Sequence, residues 1–231
     1  MSTATAVIRR RMAVLLVAVV VTSVLGLVLS LLFPLDFESD AATLRAEVAS
    51  GREAVRWILV LGAVNLVVGV CALALAGLLL VPVRGAVAAT FGTVAMWLGG
   101  AFYAVGVGGW AEAFPTATHP ALDASASQEL VAELIADPAR LFATAGTGAG
   151  LVALGTVLLS VGLWRARTVP RWVPAVAAVS IVLTFVFPTA GPVGLLVEIP
   201  VAVSSIAIGW YAWRRITAGA QTPVLIAPGA H

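Results

Sequence analysis

The sequence has very few charges for its length and no lysine. Of its 231 residues, 10% are charged and 61% are hydrophobic, and all 13 basic residues are arginine. A soluble domain carries about 25% charged residues. A chain of this composition cannot cover a globular surface with polar side chains, so we predict that lipid is its solvent. The formal net charge of +2 therefore does not indicate nucleic-acid binding.

Cysteine and histidine are also scarce. Cys71 is the only cysteine, which excludes an intramolecular disulfide and a cysteine metal cluster. The two histidines, His119 and His231, lie outside the long apolar runs. Haem and zinc sites use histidine or cysteine ligands, and no phosphate-binding loop or serine–histidine arrangement is present. The sequence therefore predicts no metal, no cofactor and no set of catalytic residues.

Six apolar runs are long enough, or nearly so, to cross a bilayer. A transmembrane helix needs about 20 mostly apolar residues. The fifth run is the shortest, and a turn with proline and glycine separates it from the sixth, which favours a hairpin over a re-entrant pair. We predict an all-α, single-domain membrane protein over residues 1–231. Its six transmembrane helices are 12–33, 57–81, 86–108, 141–164, 172–187 and 192–213.

Charge and tryptophan positions orient this bundle. Arginine collects in cytoplasmic loops. With the N-terminus inside, nine arginines and no acid face the cytoplasm, and ten acids with four arginines face outward. Trp57 and Trp110 then lie at outer helix ends, as in an interfacial aromatic belt. Both termini are predicted to be cytoplasmic, with a cytoplasmic tail over 214–231, in a bacterial inner (plasma) membrane.

Two exterior loops, 34–56 and 109–140, are each predicted to contain a short amphipathic helix. The first helix follows Ser39 and ends at Ser50-Gly51. The second is predicted to start at a capping box made by Ser125 and Gln128. These helices lie on the outer membrane surface or over the mouth of the bundle, where they could act as a lid.

Two further local signals concern the fourth span. Asp137, followed by proline, is predicted to cap its start. Gly146 and Gly150 form a small-xxx-small pair that lets this helix pack closely, within the monomer rather than in a dimer.

Glu198 is the one acid predicted to lie in the membrane. Intramembrane acids usually face a bundle interior, a partner or water, and Pro200 frees a backbone carbonyl nearby. Other polar side chains lie at similar depth on other helices. If they converge, they form an outward-facing polar pocket of Glu198, Asn65, Tyr103, Thr144 and Thr147. In the alternative interpretation, Glu198 is a structural acid paired with Arg56 or Arg140.

The sequence resembles a bacterial family of six-helix membrane proteins defined by a domain of unknown function. Three stretches carry the resemblance. They are Val55-Arg56-Trp57-Ile58, the segment from Gly162-Leu163-Trp164-Arg165 to Val169-Pro170-Arg171-Trp172, and Glu198 with Trp210 to Trp213. They cover less than half of the chain. The resemblance implies the six-helix fold, adds interest to Arg56 and Glu198, and implies no activity.

Three functions follow as hypotheses. The first is a non-enzymatic accessory or sensory protein whose exterior loops meet a membrane protein partner, a second copy of the chain or lipid. The second is a transporter or ligand-binding protein for a small solute or protons, which uses the pocket around Glu198. The third and least favoured is a membrane enzyme that acts on a lipid.

Overall fold

A computed structural model describes residues 3–33, 35, 37, 39–185 and 191–219, which form eight α-helices and no strand. The all-α prediction is confirmed. The helices are α1 (Thr3–Leu31), α2 (Ala41–Ser50), α3 (Arg52–Leu80), α4 (Ala86–Ala117), α5 (Ala124–Ala136), α6 (Pro138–Ala166), α7 (Trp172–Leu183) and α8 (Gly191–Gly219).

Five of the helices are long and apolar enough to span a membrane, namely α1, α3, α4, α6 and α8. They correspond to five of the six predicted spans. The fifth predicted span, 172–187, is represented by the shorter apolar helix α7. Its predicted end at 187, the turn at 188–190 and the tail beyond 219 lie outside the described residues. The structure therefore supports a membrane-embedded protein with five candidate spans.

The predicted loop 109–140 begins with helix rather than with irregular chain. α4 passes its predicted end at Gly108 and continues to Ala117. It does so because its last turns have apolar partners: Phe114 and Ala111 are fully buried against Leu44 and Val48 of α2 and Val131 of α5. α2 and α5 pack on each other and on the ends of α3 and α4. We call this end of the bundle the capped end.

Aspartates start the helices at the capped end. Asp40 accepts a hydrogen bond from Thr43 N (2.9 Å) at the start of α2. The helix therefore begins after Ser39, as predicted. Asp137 accepts from Arg140 N (3.1 Å) and begins α6, as predicted. The predicted capping box of Ser125 is wrong, because Asp123 is the N-cap of α5 and accepts from Ala126 N (2.8 Å). A carboxylate accepts from a helix N-terminus more strongly than a hydroxyl does, and the Ser125 hydroxyl donates to Asp123 instead.

The α4–α6 pair and the α1–α8 pair face each other, and α3 packs on α4 as closely as α1 packs on α8. α1 packs along α8, and α4 packs along α6. α3 and α7 join the two pairs, and α3 touches α1, α4, α6 and α8. Among the described residues, neither α1 nor α8 has a backbone contact with α4 or α6. The space between the two pairs is where the cavities of the protein lie.

Glycines spaced by seven residues hold α4 against α6. On α4 they are Gly92 and Gly99, and on α6 they are Gly155 and Gly148. A Cβ at Gly92 would lie 2.6 Å from the Gly155 carbonyl oxygen, and one at Gly99 would lie 2.6 Å from that of Gly148. Any larger residue there would push the helix backbones apart.

The predicted packing pair of α6 is therefore wrong. A Cβ at Gly150 would meet nothing within 4 Å, and one at Gly146 would meet only Phe142 of its own helix, at 3.9 Å. The four-residue spacing identified small residues on α6 but placed them on the wrong face.

Candidate functional site

Asn65 lies in the middle of α3. The nitrogen of its side-chain amide has a hydrogen-bond partner, and the oxygen has none among the described residues. Its Nδ2 donates a hydrogen bond to the backbone oxygen of Thr22 on α1 (3.1 Å). Gly26 lies beside this contact, and a Cβ there would be in ordinary van der Waals contact with Asn65 Nδ2 at 3.5 Å. Asn65 Oδ1 is buried and has no hydrogen-bond donor among the described residues. A buried polar atom without a partner is unusual and costs stability.

Glu198 on α8 is partly buried and is also without a protein partner. In the part of the chain that the structure describes, its carboxylate forms no hydrogen bond and no ion pair. An ionised carboxylate inside a membrane requires a counter-charge or water. The described residues supply neither a cation nor a donor to Glu198.

Asn65, Glu198 and Tyr103 of α4 line one cavity of about 620 Å³. The cavity lies at the capped end and is partly open. Three of the five residues of the predicted polar pocket are thus brought together by α3, α4 and α8, with α1 supplying the fourth wall. We call this space the outer cavity. Its volume falls in the range of about 300–1,000 Å³ that is typical of sites for small molecules.

The other two residues of the predicted pocket do not line this cavity. Thr147 is exposed on the outside of α6, and Thr144 is partly buried on the same helix. The α6 residue that does line the cavity is Phe142. Depth along the helix was the basis for grouping these threonines with Glu198, and depth does not determine which way a side chain faces.

Aromatic rings form the wall of the outer cavity at the capped end. Phe37, which follows α1, makes edge-on contacts with Trp110 (ring centroids 5.3 Å apart) and with Phe142 (5.1 Å). Trp110 and Phe142 are themselves 5.3 Å apart in an edge-on contact. Trp110 Nε1 donates to the Leu141 backbone oxygen (3.0 Å), which fixes its ring. Edge-on clusters of this kind are favourable and rigid.

Sequence reasoning missed Trp110 as a cavity residue. Trp110 was interpreted as an interfacial residue at an outer helix end, but it is buried. The missed signal is the spacing of Tyr103, Val107, Trp110 and Phe114, which puts all four on one face of a helix. That stripe shows that α4 continues beyond Gly108 and that Trp110 faces the same side as Tyr103.

Neither predicted ion-pair partner of Glu198 pairs with it. Arg56 forms a bidentate salt bridge with Glu112 of α4, in which Nε donates to Oε1 at 3.0 Å. Both side chains are exposed at the capped end. Arg140 lies in the first turn of α6 and is exposed. Pairing between two exposed groups avoids the cost of burying an arginine charge beside Glu198, so the sequence-based pairing is wrong for the described residues.

A second cavity lies deeper between the helix pairs. Its volume is about 150 Å³, and we call it the inner cavity. It shares part of its lining with the outer cavity, namely Gly26, Asn65, Leu66 and Glu198. Glu198 is the only charged residue that lines either cavity within the described chain. Across the described residues, no group of three His, Cys, Asp or Glu side chains comes together to hold a metal ion.

Comparison with protein families matches residues 12–213 to a family described as a domain of unknown function, DUF4386. The match covers all six predicted spans and confirms the resemblance seen in the sequence. No curated protein and no solved structure matches the chain.

Proposed function

The chain belongs to the DUF4386 family, and we propose that it is a multi-pass membrane protein that binds a small amphipathic cation in the outer cavity. The cation would contact Glu198 and Asn65 at one end of the cavity and the aromatic rings at the other. We further propose six spans with both termini in the cytoplasm of a bacterial cell. The outer cavity then opens to the exterior face of the inner membrane.

Two observations support this orientation. The connections at the end of the bundle opposite the cap carry Arg84, Arg165, Arg167 and Arg171, with no acid among them. Arginine in short loops favours the cytoplasmic side. The helices at the capped end carry acids, such as Glu112, Glu129 and Glu133. The remaining span would be the one that begins with α7. To cross the bilayer it would have to continue into the residues that follow Leu183.

The single observation that carries the binding proposal is the pair of unpartnered acceptors in one cavity. Asn65 Oδ1 is buried without a donor, and the carboxylate of Glu198 is without a donor or a counter-charge in the described chain. A ligand that donates hydrogen bonds would satisfy both groups. For the buried Asn65 Oδ1, the missing donor costs roughly 1–3 kcal/mol, which a bound donor recovers.

Charge and aromatic content favour a cation over a neutral donor. Among the described residues, Glu198 is the one carboxyl group that lines the cavity, and no arginine or histidine lines it. The faces of Phe33, Phe37, Trp110 and Phe142 are electron-rich and attract cations. An ammonium group attached to an apolar body would match both ends of the cavity.

The test uses three probes with the same body and different charge: 1-naphthylmethylammonium, 1-naphthylmethanol and 1-naphthoate. Binding to the protein in lipid nanodiscs is measured by equilibrium dialysis, with empty nanodiscs subtracted. We expect the ammonium to bind, the alcohol to bind more weakly and the carboxylate not to bind. A charge-assisted hydrogen bond is worth roughly 1.5–3 kcal/mol, so the preference for ammonium should be at least about tenfold.

Glu198→Gln keeps the shape of the side chain and removes its charge. This variant should bind the ammonium and the alcohol with similar affinity. Glu133→Gln is the matched control, because Glu133 is exposed on α5 and its loss should change nothing. Equal binding of all three probes to wild-type protein, or an unchanged preference in Glu198→Gln, would refute the proposal.

The cap favours a sensory role as a second candidate function. α2 and α5 cover the capped end, and Arg45 Nε of α2 donates to Ser127 Oγ of α5 (3.0 Å). Ligand binding at Phe37, directly below this cap, could be transmitted to a partner protein. Co-purification of a membrane partner that depends on intact α5 would support this role, and the lipid-acting enzyme remains the least favoured hypothesis.

A further inference from the structure

The inner cavity begins where the outer cavity ends, at Asn65 and Glu198. Both residues line both cavities. A molecule that reaches Glu198 from the outer cavity therefore already touches the wall of the inner one. The two cavities are successive compartments on one line between the α1–α8 pair and the α4–α6 pair.

Three hydroxyl oxygens in the lining of the inner cavity are available as hydrogen-bond acceptors. Each of these hydroxyls donates its own proton to a backbone oxygen of its own helix: Thr22 to Ala18 (2.7 Å), Thr156 to Val152 (2.8 Å) and Ser204 to Val201 (3.0 Å). Their oxygens keep lone pairs as acceptors. These three oxygens present partial negative charge to the inner cavity, which suits a cation.

Beyond the inner cavity, the bundle is closed by a packed core. Leu80, Leu159, Leu163, Val173 and Ile208 are almost fully buried there. At the same end, Arg215 Nη1 of α8 donates to the Leu80 backbone oxygen of α3 (2.7 Å). Among the described residues, the cavities thus lie toward the capped end, and packed side chains fill the other end.

The arrangement of the helices allows the filled end and the unfilled end of the bundle to exchange. The α4–α6 pair is held rigid by backbone contact at its glycines. The α1–α8 pair faces it across both cavities, and the described residues give no backbone contact between the pairs. Among the described residues, the two pairs are connected by α7 and by α3, which packs most extensively on α4. Transporters alternate access by rocking one helix group against another around a central site.

We propose that the protein transports its cation, with the α1–α8 pair rocking against the α4–α6 pair around Glu198. The inner cavity, at about 150 Å³, is too small for a ligand that fills the outer one. Rocking must widen it while the outer cavity narrows. Glu198 stays beside the cation throughout, so its charge is balanced in both states. This inference rests on the proposed binding function.

The test is uptake of a permanently charged probe, tritiated 1-naphthylmethyl-trimethylammonium, into proteoliposomes. A quaternary ammonium cannot lose a proton and cross the bilayer as a neutral amine. A potassium diffusion potential, negative inside, provides the driving force. We expect uptake several-fold above that of empty liposomes, and its loss in Glu198→Gln.

Two variants that fill the inner cavity separate transport from binding. Ala177→Leu on α7 and Ser205→Leu on α8 place additional carbon atoms in a space that the outer cavity does not share. We expect each to bind the probe with wild-type affinity in nanodiscs and to lose uptake. Val179→Leu is the matched control, since Val179 of α7 is 58% exposed and lies outside the cavity, and it should retain uptake.

The outcomes distinguish the two proposals. Binding that depends on Glu198, without uptake by wild-type protein, would overturn transport and leave the binding function standing. Absence of binding by 1-naphthylmethylammonium, which can donate hydrogen bonds, would overturn both. Uptake that persists with wild-type rate in both Ala177→Leu and Ser205→Leu would show that the cation does not pass through the inner cavity, and would overturn the proposed route.

Discussion

The amide of Asn65 is oriented by the backbone of Thr22. A backbone carbonyl only accepts hydrogen bonds, so the contact from Asn65 Nδ2 to Thr22 O (3.1 Å) fixes which end of the amide is nitrogen. The oxygen end is then left without a donor among the described residues, in a side chain that lines both cavities.

Asn65→Leu should weaken the binding of a ligand that donates hydrogen bonds and spare one that does not. Leucine has a similar shape but cannot accept a hydrogen bond. We expect 1-naphthylmethylammonium to lose about fivefold in affinity, as for a hydrogen bond worth roughly 1 kcal/mol. The trimethylammonium analogue has no N–H and should be unaffected. Equal losses for both probes in equilibrium dialysis would instead indicate a general distortion of the cavity.

Gly155→Ala should destabilise the bundle, whereas Gly150→Ala should not. A Cβ at Gly155 would lie 2.6 Å from both the Gly92 oxygen and Met96 Cγ, while a Cβ at Gly150 would meet nothing within 4 Å. Overpacking of this kind costs roughly 1–3 kcal/mol. The comparison is made by thermal unfolding in detergent. If Gly150→Ala proved the more harmful, the register of α4 on α6 would be incorrect.

Arg56→Gln should leave ligand affinity unchanged. Arg56 is paired with Glu112 at the capped end and does not line the outer cavity. A direct pairing of Arg56 with Glu198, as the sequence suggested, would predict a large change instead. Dialysis with the three naphthyl probes decides between these interpretations, and Glu112→Gln should behave as Arg56→Gln does.

Asp123→Ala should destabilise α5 at neutral pH and have less effect in acid. Hydrogen bonds from Ala126 N and Ser125 hold the pKa of Asp123 below its ordinary value. A carboxylate whose pKa is lowered by folding contributes stability above its unfolded pKa and loses it as the pH falls through the folded pKa. The difference in melting temperature between wild type and variant should therefore shrink as the pH is lowered through this range.

Asp40 provides an independent test of the same pH dependence of stability. Its pKa is lowered mainly by the backbone N–H of Thr43 at the start of α2. Asp40→Ala should show the same pH dependence as Asp123→Ala. Ser125→Ala should have the smaller effect at every pH, because Ser125 donates to Asp123 and does not cap the helix itself. A larger effect of Ser125→Ala would restore the capping box.

The sequence predicted the helices well because apolar length and charge spacing are local properties. The five long helices, the start of α6 at Asp137 and the helix after Ser39 follow from hydropathy and capping rules alone. The continuation of α4 to Ala117 could not be predicted in this way. It depends on α2 and α5, which bury Phe114 although that residue lies beyond the apolar run.

The candidate site was predicted in part, for a related physical reason. Depth along a helix is readable from sequence, and it grouped Glu198 with Asn65 and Tyr103 correctly as neighbours of one cavity. Depth does not determine the direction in which a side chain points. The predicted pocket therefore includes Thr147, although Thr147 is exposed. The aromatic wall was missed because Phe37, Trp110 and Phe142 come together only through the tertiary fold.

The spacing of the glycines between α4 and α6 also restricts how this protein can change in evolution. Gly85, Gly92, Gly99 and Gly106 recur every seven residues, and the facing glycines Gly148, Gly155 and Gly162 do the same. A strict seven-residue repeat makes two helices wind around each other in a left-handed supercoil. Inserting one residue between Gly92 and Gly99 would turn every later glycine about 100° away from its partner, given 3.6 residues per turn. Insertions and deletions within these two helices should therefore be tolerated only in whole heptads made in both.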